Sequence, residues 1–272
     1  MTEQSVNYND MKYNPEFDCY KVGKAPVLVT NQGDVVKRVK DLIYNGKKGY
    51  ICISTMRTVV IANNEQNYLE VMENSLFNTP DGTPLVWCGR AWGIKQAERA
   101  CGPHLFDDLL EDKDPSLRHF FLGDTEETEM RLKEKCEKEY GTQIVGMYSP
   151  PFAPLEEYDI LGIANLINDS GANIVWTSLR APKQDYLNAM LAPHVNDGVL
   201  LIGVGAAFRY KIGELKSPDG FLQKIGLAGL LFIRKDSKPL NELKWYVKHS
   251  CYLLKYLVGI LCKRLMGKPY YQ

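Results

Sequence analysis

The chain has 272 residues, of which 45% are hydrophobic, and its 33 basic residues equal its 33 acidic ones. That length buries a full core, as one large α/β domain or two small ones with one preferred, and the charge balance offers no general attraction for nucleic acid. The seven cysteines are scattered, with no Cys-x-x-Cys and no His/Cys ligand spacing, which favours a reducing cytoplasm over a disulfide framework.

Residues 1–18 form a polar extension without the basic-then-apolar run of a signal peptide, so export is not expected. Apolar runs then alternate with helical periods. Strands are predicted at 27–30, 49–54, 120–123, 144–148, 173–178 and 199–203. Helices are predicted at 34–45, 59–74, 85–92, 126–140, 158–170 and 183–192. This alternation implies an α/β domain over 19–235, built on a mainly parallel, Rossmann-like sheet covered by helices, with ligands at the carboxyl ends of the strands. Pro150-Pro151-Phe152-Ala153-Pro154 is a subdomain joint or a single stiff loop. No Gly-x-Gly-x-x-Gly follows the first strands, so a nicotinamide or S-adenosylmethionine enzyme lacks its usual cradle.

Three loops carry candidate chemistry. In Thr79-Pro80-Asp81-Gly82-Thr83-Pro84 the prolines hold φ and Gly82 permits a positive φ, so that Asp81 is aimed into a cleft as a candidate base; an ordinary surface turn has the same letters. The apolar strand through Trp176 runs into Leu179-Arg180-Ala181-Pro182-Lys183-Gln184, a polar, proline-stiffened loop. The strand through Ile202 runs into Gly203-Val204-Gly205-Ala206-Ala207-Phe208, a small-residue turn whose N–H groups suit a phosphate.

Together with Glu98-Arg99 before Gly102-Pro103 and the Phe121-Leu122-Gly123 strand end, these loops resemble, in order, the marks of the WecG/TagA/CpsF glycosyltransferases of teichoic acid, enterobacterial common antigen and capsular polysaccharide synthesis. The resemblance runs from Tyr20 to Arg234. It implies an inverting, metal-independent transfer of an N-acetylhexosamine-type sugar, such as N-acetylmannosamine, from a UDP donor to a polyprenyl-diphosphate-linked sugar. No cofactor is implied. Asp81 takes the role of base, which requires partial desolvation or a neighbouring acid to raise its pKa. Arg99 either holds diphosphate or pins Asp81 in an ion pair. Thr55 and Gln184 complete the catalytic set, with Gln184 reading sugar hydroxyls through its amide. Gly82, Pro84, Lys183, Gly205, Ala206, Phe208, Arg209 and Tyr148 are the expected substrate contacts.

The chain departs from the family pattern at several positions. Thr55 stands where relatives carry an asparagine, Arg57 where close relatives have histidine or glutamate, His104 where an aspartate is common, and Arg209 where relatives carry an aspartate. Ala228-Gly229 replaces a usual Glu-Trp. An arginine cannot accept a hydrogen bond from a nucleoside hydroxyl, so Arg209 pairs with phosphate or marks a different donor. These departures motivate the alternative of a catalytically retired nucleotide-sugar-binding or scaffold protein of the same fold. Asp112-Lys113-Asp114 has the letters of a metal-binding Asp-x-Asp but reads as a charged turn.

The segment 236–272 reads as a C-terminal appendage, a basic amphipathic helix over 243–266 in which Lys244, Lys248, Lys255, Lys263 and Arg264 interleave with apolar residues. It is too short in unbroken apolar residues to span a bilayer, which takes about 20. The expected partner is the anionic inner membrane surface, reached peripherally from the cytoplasmic face, or else the helix packs on the core or a second copy of the chain. Lys216, Lys224, Arg234 and Lys235 are placed to close over the site and add diphosphate contacts.

Overall fold

The computed structural model describes residues 19–216 and 239–269, with side chains described from Ser250 onward in the last helix. The polar extension 1–18, and Lys224, Ala228, Gly229, Arg234 and Lys235, lie outside the described residues, as do the side chains of Lys244 and Lys248.

A hairpin, β1 (Cys19–Val22) and β2 (Ala25–Leu28), precedes α1 (Gln32–Tyr44) and β3 (Gly49–Ser54). Next come α2 (Met56–Asn64), α3 (Gln66–Asn74), β4 (Phe77–Pro80), α4 (Thr83–Ala91) and α5 (Gly102–Leu110). The second half runs β5 (Arg118–Gly123), α6 (Glu126–Tyr140), β6 (Gln143–Tyr148), α7 (Ile160–Ser170), β7 (Ile174–Ser178), α8 (Lys183–Leu191), β8 (Leu200–Gly203) and α9 (Ala207–Lys211). The last described element is α10 (Pro239–Leu265).

Six strands form one sheet in the order β4-β3-β8-β7-β5-β6, and every pairing in it is parallel. The alternating sequence thus does build the parallel α/β sheet it implies. Every residue of β3 is buried, as a strand covered on both faces requires. Alternation along β3 divides the core: Tyr50 and Cys52 face a layer with residues of α2, α3, α4, α7, α8 and α10, while Ile51 and Ile53 face one with α1, α5 and α6. In the second layer Trp176 donates its indole N–H to His119 Nδ1 at 3.0 Å, and burial lowers the His119 pKa to about 4, which keeps the ring a neutral acceptor.

Three elements differ from expectation. The strand predicted at 27–30 is the second arm of a hairpin, β2 (Ala25–Leu28), whose turn rests on α2: Asn63 accepts from Lys24 N–H at 2.7 Å and donates to the Val22 carbonyl at 2.9 Å. The single helix predicted at 59–74 is two, because Glu65 adopts extended backbone (φ −124°, ψ 110°) between them. The Pro-Asp-Gly loop begins from a strand, β4, whose closing Pro80 is tolerated at the sheet edge.

Candidate active site

Because the sheet is wholly parallel, the ends of β3, β4, β5, β7 and β8 open on one edge, and the singled-out loops meet there. Pro80 pairs with Ser54, and Asp81 N–H extends the ladder by donating to the Ser54 carbonyl at 2.8 Å. The chain then turns into α4, with Gly82 as its N-cap and Pro84 in its first turn. Gly82 has φ −105°, so the expected positive φ is not used, and a Cβ there would make only ordinary contacts, 3.5 Å to Pro84 Cδ and 3.9 Å to the Met56 nitrogen.

Arg99 grips Asp81 twice, Nε donating to its carbonyl and Nη2 to Oδ1 at 3.0 Å. The side chains keep 21% (Asp81) and 25% (Arg99) of their surface exposed. Burial raises the Asp81 pKa above the usual carboxylate range, opposed by the charge and hydrogen bond of Arg99, by His104 and by the Gly102 N–H. Of the two readings for Arg99, the ion pair with Asp81 is the one observed. Gly102, whose N–H bonds Asp81, also borders the glycine turn: a Cβ on it would meet Ile53 at 3.3 Å and touch the Val204 Cα at 3.7 Å. Asp81 and the turn after β8 are therefore neighbours across one glycine.

Thr55 serves the backbone. It is the N-cap of α2 in a capping box with Thr58, the Thr55 N–H donating to Thr58 Oγ1 at 2.9 Å. Behind it, Ser54 Oγ is buried without a hydrogen-bond partner.

The turn after β8 is pinned from two sides: Gly205 N–H donates to Gln184 Oε1 at 3.0 Å, and Ser178 Oγ donates to the Gly205 carbonyl at 2.6 Å. Gln184 is only 3% exposed, and a Cβ on Gly203 would fall 2.6 Å from its Nε2. The amide expected to read sugar hydroxyls holds the turn through its oxygen in this structure. Gly205 has φ +58° with open space where a Cβ would point, and Ala206 beside it is part-exposed.

Three expected substrate contacts have partners within the protein. Phe208 is fully buried and stacks on Phe106 at 5.3 Å, because the short α9 turns its ring into the core. Lys183 turns away from the turn: Nζ donates to the Ala153 carbonyl and, at 3.0 Å, to Tyr158 Oη, and it lies 4.6 Å over the Tyr158 ring. It tethers the proline loop at 150–154 to α8. Arg209 forms a two-pronged pair with Asp124, Nε to Oδ2 at 2.9 Å and Nη2 to Oδ1 at 2.6 Å, so its phosphate-facing capacity is already shared with a carboxylate. Tyr148, at the end of edge strand β6, is part-exposed and packs against the first core layer, at the far side of the edge from Asp81.

Asp112 and Asp114 sit before β5, at the opposite edge of the sheet, and pair with Lys40 at 2.7 and 3.5 Å; they form an ion-paired turn. Among the described residues no group of three or more His, Cys, Asp or Glu is arranged to hold a metal ion.

Sequence reasoning passed over Tyr210, Asp124 and Arg180. Burial pushes Tyr210 up to about 12, with the Asp81 charge adding and the Arg180 charge subtracting, so α9 lies within electrostatic reach of both β4 and β7 ends. Asp124 and Arg180 have left-handed backbone, φ 66° and 63°. Both stand in the strand ends singled out by sequence, but nothing in their letters announces that geometry.

α10 packs on α4 and α2 through Tyr256 and Ile260, 9% and 3% exposed. At about 100° per residue, Leu254, Val258, Leu261 and Leu265 share a sector about 60° wide on a face turned away from that contact, and all four are exposed. Lys255 is exposed and Lys263 part-exposed. Arg264 departs from its expected headgroup role, since Nη1 donates to the Ala91 carbonyl at 3.1 Å and the guanidinium covers Gly93, tying α10 to the end of α4. No helix among the described residues is long and apolar enough to cross a membrane.

A parallel α/β sheet with a clamped acid and a glycine turn on its carboxyl edge belongs to the class of α/β proteins whose ligands bind at the strand ends. The chain belongs to the glycosyl transferase WecG/TagA/CpsF family, whose model matches residues 20–261, and is a glycosyltransferase. It is 22% identical over 208 residues, 76% of this chain and 77% of the relative, to the N-acetylglucosaminyldiphosphoundecaprenol N-acetyl-beta-D-mannosaminyltransferase of Bacillus subtilis strain 168.

Proposed function

We propose that the chain transfers an N-acetylhexosamine-type sugar, N-acetylmannosamine or a close analogue, from a UDP donor to a polyprenyl-diphosphate-linked sugar in bacterial surface-polysaccharide synthesis. The observation that carries this is the placement of Asp81: a partly desolvated carboxylate with a raised pKa, oriented by Arg99 and one glycine away from the Gly205 turn. A base must reach the acceptor hydroxyl within about 3 Å and still be ionised: burial makes the Asp81 carboxylate more basic, and the Arg99 clamp favours its ionised form. The acceptor oxygen bonds to the anomeric carbon as the bond from that carbon to the diphosphate oxygen breaks on the opposite face. Asp81 takes the hydroxyl proton, UDP departs, and a single in-line displacement inverts the configuration. Charge on the leaving diphosphate is met by guanidinium and backbone N–H groups, without a divalent ion. The exposed apolar stripe of α10, flanked by Lys255, supports docking in the interface of the cytoplasmic leaflet, where the lipid-linked acceptor resides.

The test is turnover of a panel of UDP-N-acetylhexosamines with a synthetic prenyl-diphosphate-linked N-acetylglucosamine, with and without EDTA. Product of inverted anomeric configuration, unaffected by EDTA, is expected. Asp81→Asn should lower the rate by about 10³-fold or more while UDP binding persists. Undiminished turnover by a folded Asp81→Asn variant would refute the assignment of the base. UDP binding with no product from any donor would favour the scaffold alternative instead.

A further inference from the structure

Two of the four arginines at this edge are already committed, Arg99 to Asp81 and Arg209 to Asp124. A diphosphate leaving group still needs a cation that is not neutralised before the ligand arrives. Arg180 is exposed, and among the described residues its guanidinium has no hydrogen-bond or ion-pair partner. Arg57 shares that condition but lies on regular helix backbone in α2. Arg180 instead has φ 63°, a region that bulky side chains avoid and that glycine would occupy without cost.

The backbone that imposes this conformation is tightly held. The Arg180 carbonyl accepts from Gln184 N–H at 3.1 Å, Gln184 holds Gly205, and Ser178, two residues before Arg180, holds the carbonyl of that same glycine. The left-handed residue is therefore hinged on the glycine turn. Its charge also acts on Tyr210 together with that of Asp81. An exposed guanidinium, unpaired among the described residues, kept at a strained backbone position and hinged on the Gly205 turn, where open space lies over the glycine, has the properties of a ligand contact.

We propose that Arg180 binds the diphosphate of the nucleotide-sugar donor, and carries the negative charge that develops on it as the sugar leaves. The inference rests on the glycosyl-transfer reading above and adds to it a residue that neither the family resemblance nor the loop letters assign.

Arg180→Gly separates ligand contact from scaffold, since glycine keeps the left-handed backbone and removes only the guanidinium. Titration calorimetry with UDP and with uridine, on wild type and variant, is the measurement. Expected are a loss of UDP affinity of about tenfold or more, unchanged uridine affinity, a weaker salt dependence for UDP, and a urea midpoint equal to or above that of wild type. Arg180→Ala should lose UDP affinity equally while being less stable, which reports the strain separately. UDP affinity unchanged in Arg180→Gly would overturn the proposal, as would an equal loss for uridine. A wild type that binds neither ligand and transfers no sugar would instead bring down the reading on which it rests.

Discussion

At the amino-terminal edge of the sheet, Asp112 and Asp114 have Lys40, Tyr44 and Ser116 as partners, and these hydrogen bonds, that of the Ser116 hydroxyl foremost, hold the Asp114 carboxyl well below its usual range. At the carboxyl-terminal edge the carboxyls are pushed the other way. Burial raises Asp81, lifts Glu129 to about 8 and lifts Asp185 to about 7, with Ser149 and Tyr68 hydrogen bonds opposing the last two shifts. Glu129 Oε1 and Asp185 Oδ1 are buried without partners. The amino edge also has, among the described residues, a groove of about 250 Å³ lined by Gly49, Tyr50, Asn67, Glu70, Asn74 and Ala189, where the Tyr50 hydroxyl is satisfied by the Val71 carbonyl at 2.6 Å. The carboxyl edge is marked by its unsettled polar groups. That signal supports the proposed site, because satisfied carboxylates stabilise a fold whereas partly desolvated ones are set to exchange protons.

The contrast is tested most severely at Arg99. Arg99→Met should reduce kcat/KM by about 10²-fold and move the acid limb of the pH–rate profile upward, since the arginine is what restrains the burial-raised pKa of Asp81. An unshifted limb would show that the clamp does not tune the base.

A smaller effect concerns stability. Glu129 and Asp185 bind protons more tightly folded than unfolded, so stability is greatest below their unfolded pKa values and falls as pH rises toward the folded values of about 8 and 7. Denaturant melts from pH 4 to pH 8 should show that decline, and the Glu129→Gln/Asp185→Asn double variant should remove roughly 1–3 kcal/mol of it. A wild-type curve rising over this interval would contradict the assignment. Placing charge on the exposed stripe of α10, as Leu254→Asp/Leu261→Asp, should weaken cosedimentation with anionic vesicles about tenfold while soluble-acceptor turnover stays unchanged. The smallest response is expected from the groove: Ala189→Leu should leave kcat/KM within about twofold, and a larger loss would restore the hollow as part of the site.

Much of this architecture was legible in the residues. The buried parallel strands appear as continuous apolar runs, and glycines and prolines punctuate the loops that meet at the carboxyl edge. The hairpin β1–β2 escaped because each arm is four residues long and its Gly23-Lys24 turn lacks a strong hairpin dipeptide. The break at Glu65 has neither glycine nor proline to announce it. Within the site, Asp81 and Arg99 were legible as a pair, but Gln184, Lys183 and Phe208 were not, since whether an amide, an ammonium or a ring faces a ligand depends on neighbours from distant strands. The left-handed backbone at Arg180 is invisible for the same reason: a network two strands wide sets it.

α4 begins at the residue after Gly82 and ends at Ala91, whose carbonyl is capped by Arg264 of α10. At about 1.5 Å per residue this nine-residue rod is about 12 Å long. On the proposed reading it is a spacer between the Asp81 carboxylate and the membrane plane on which α10 would rest. Lengthening or shortening it by a turn would then alter which sugar of a surface-tethered oligosaccharide arrives at that oxygen, a molecular ruler built from one helix.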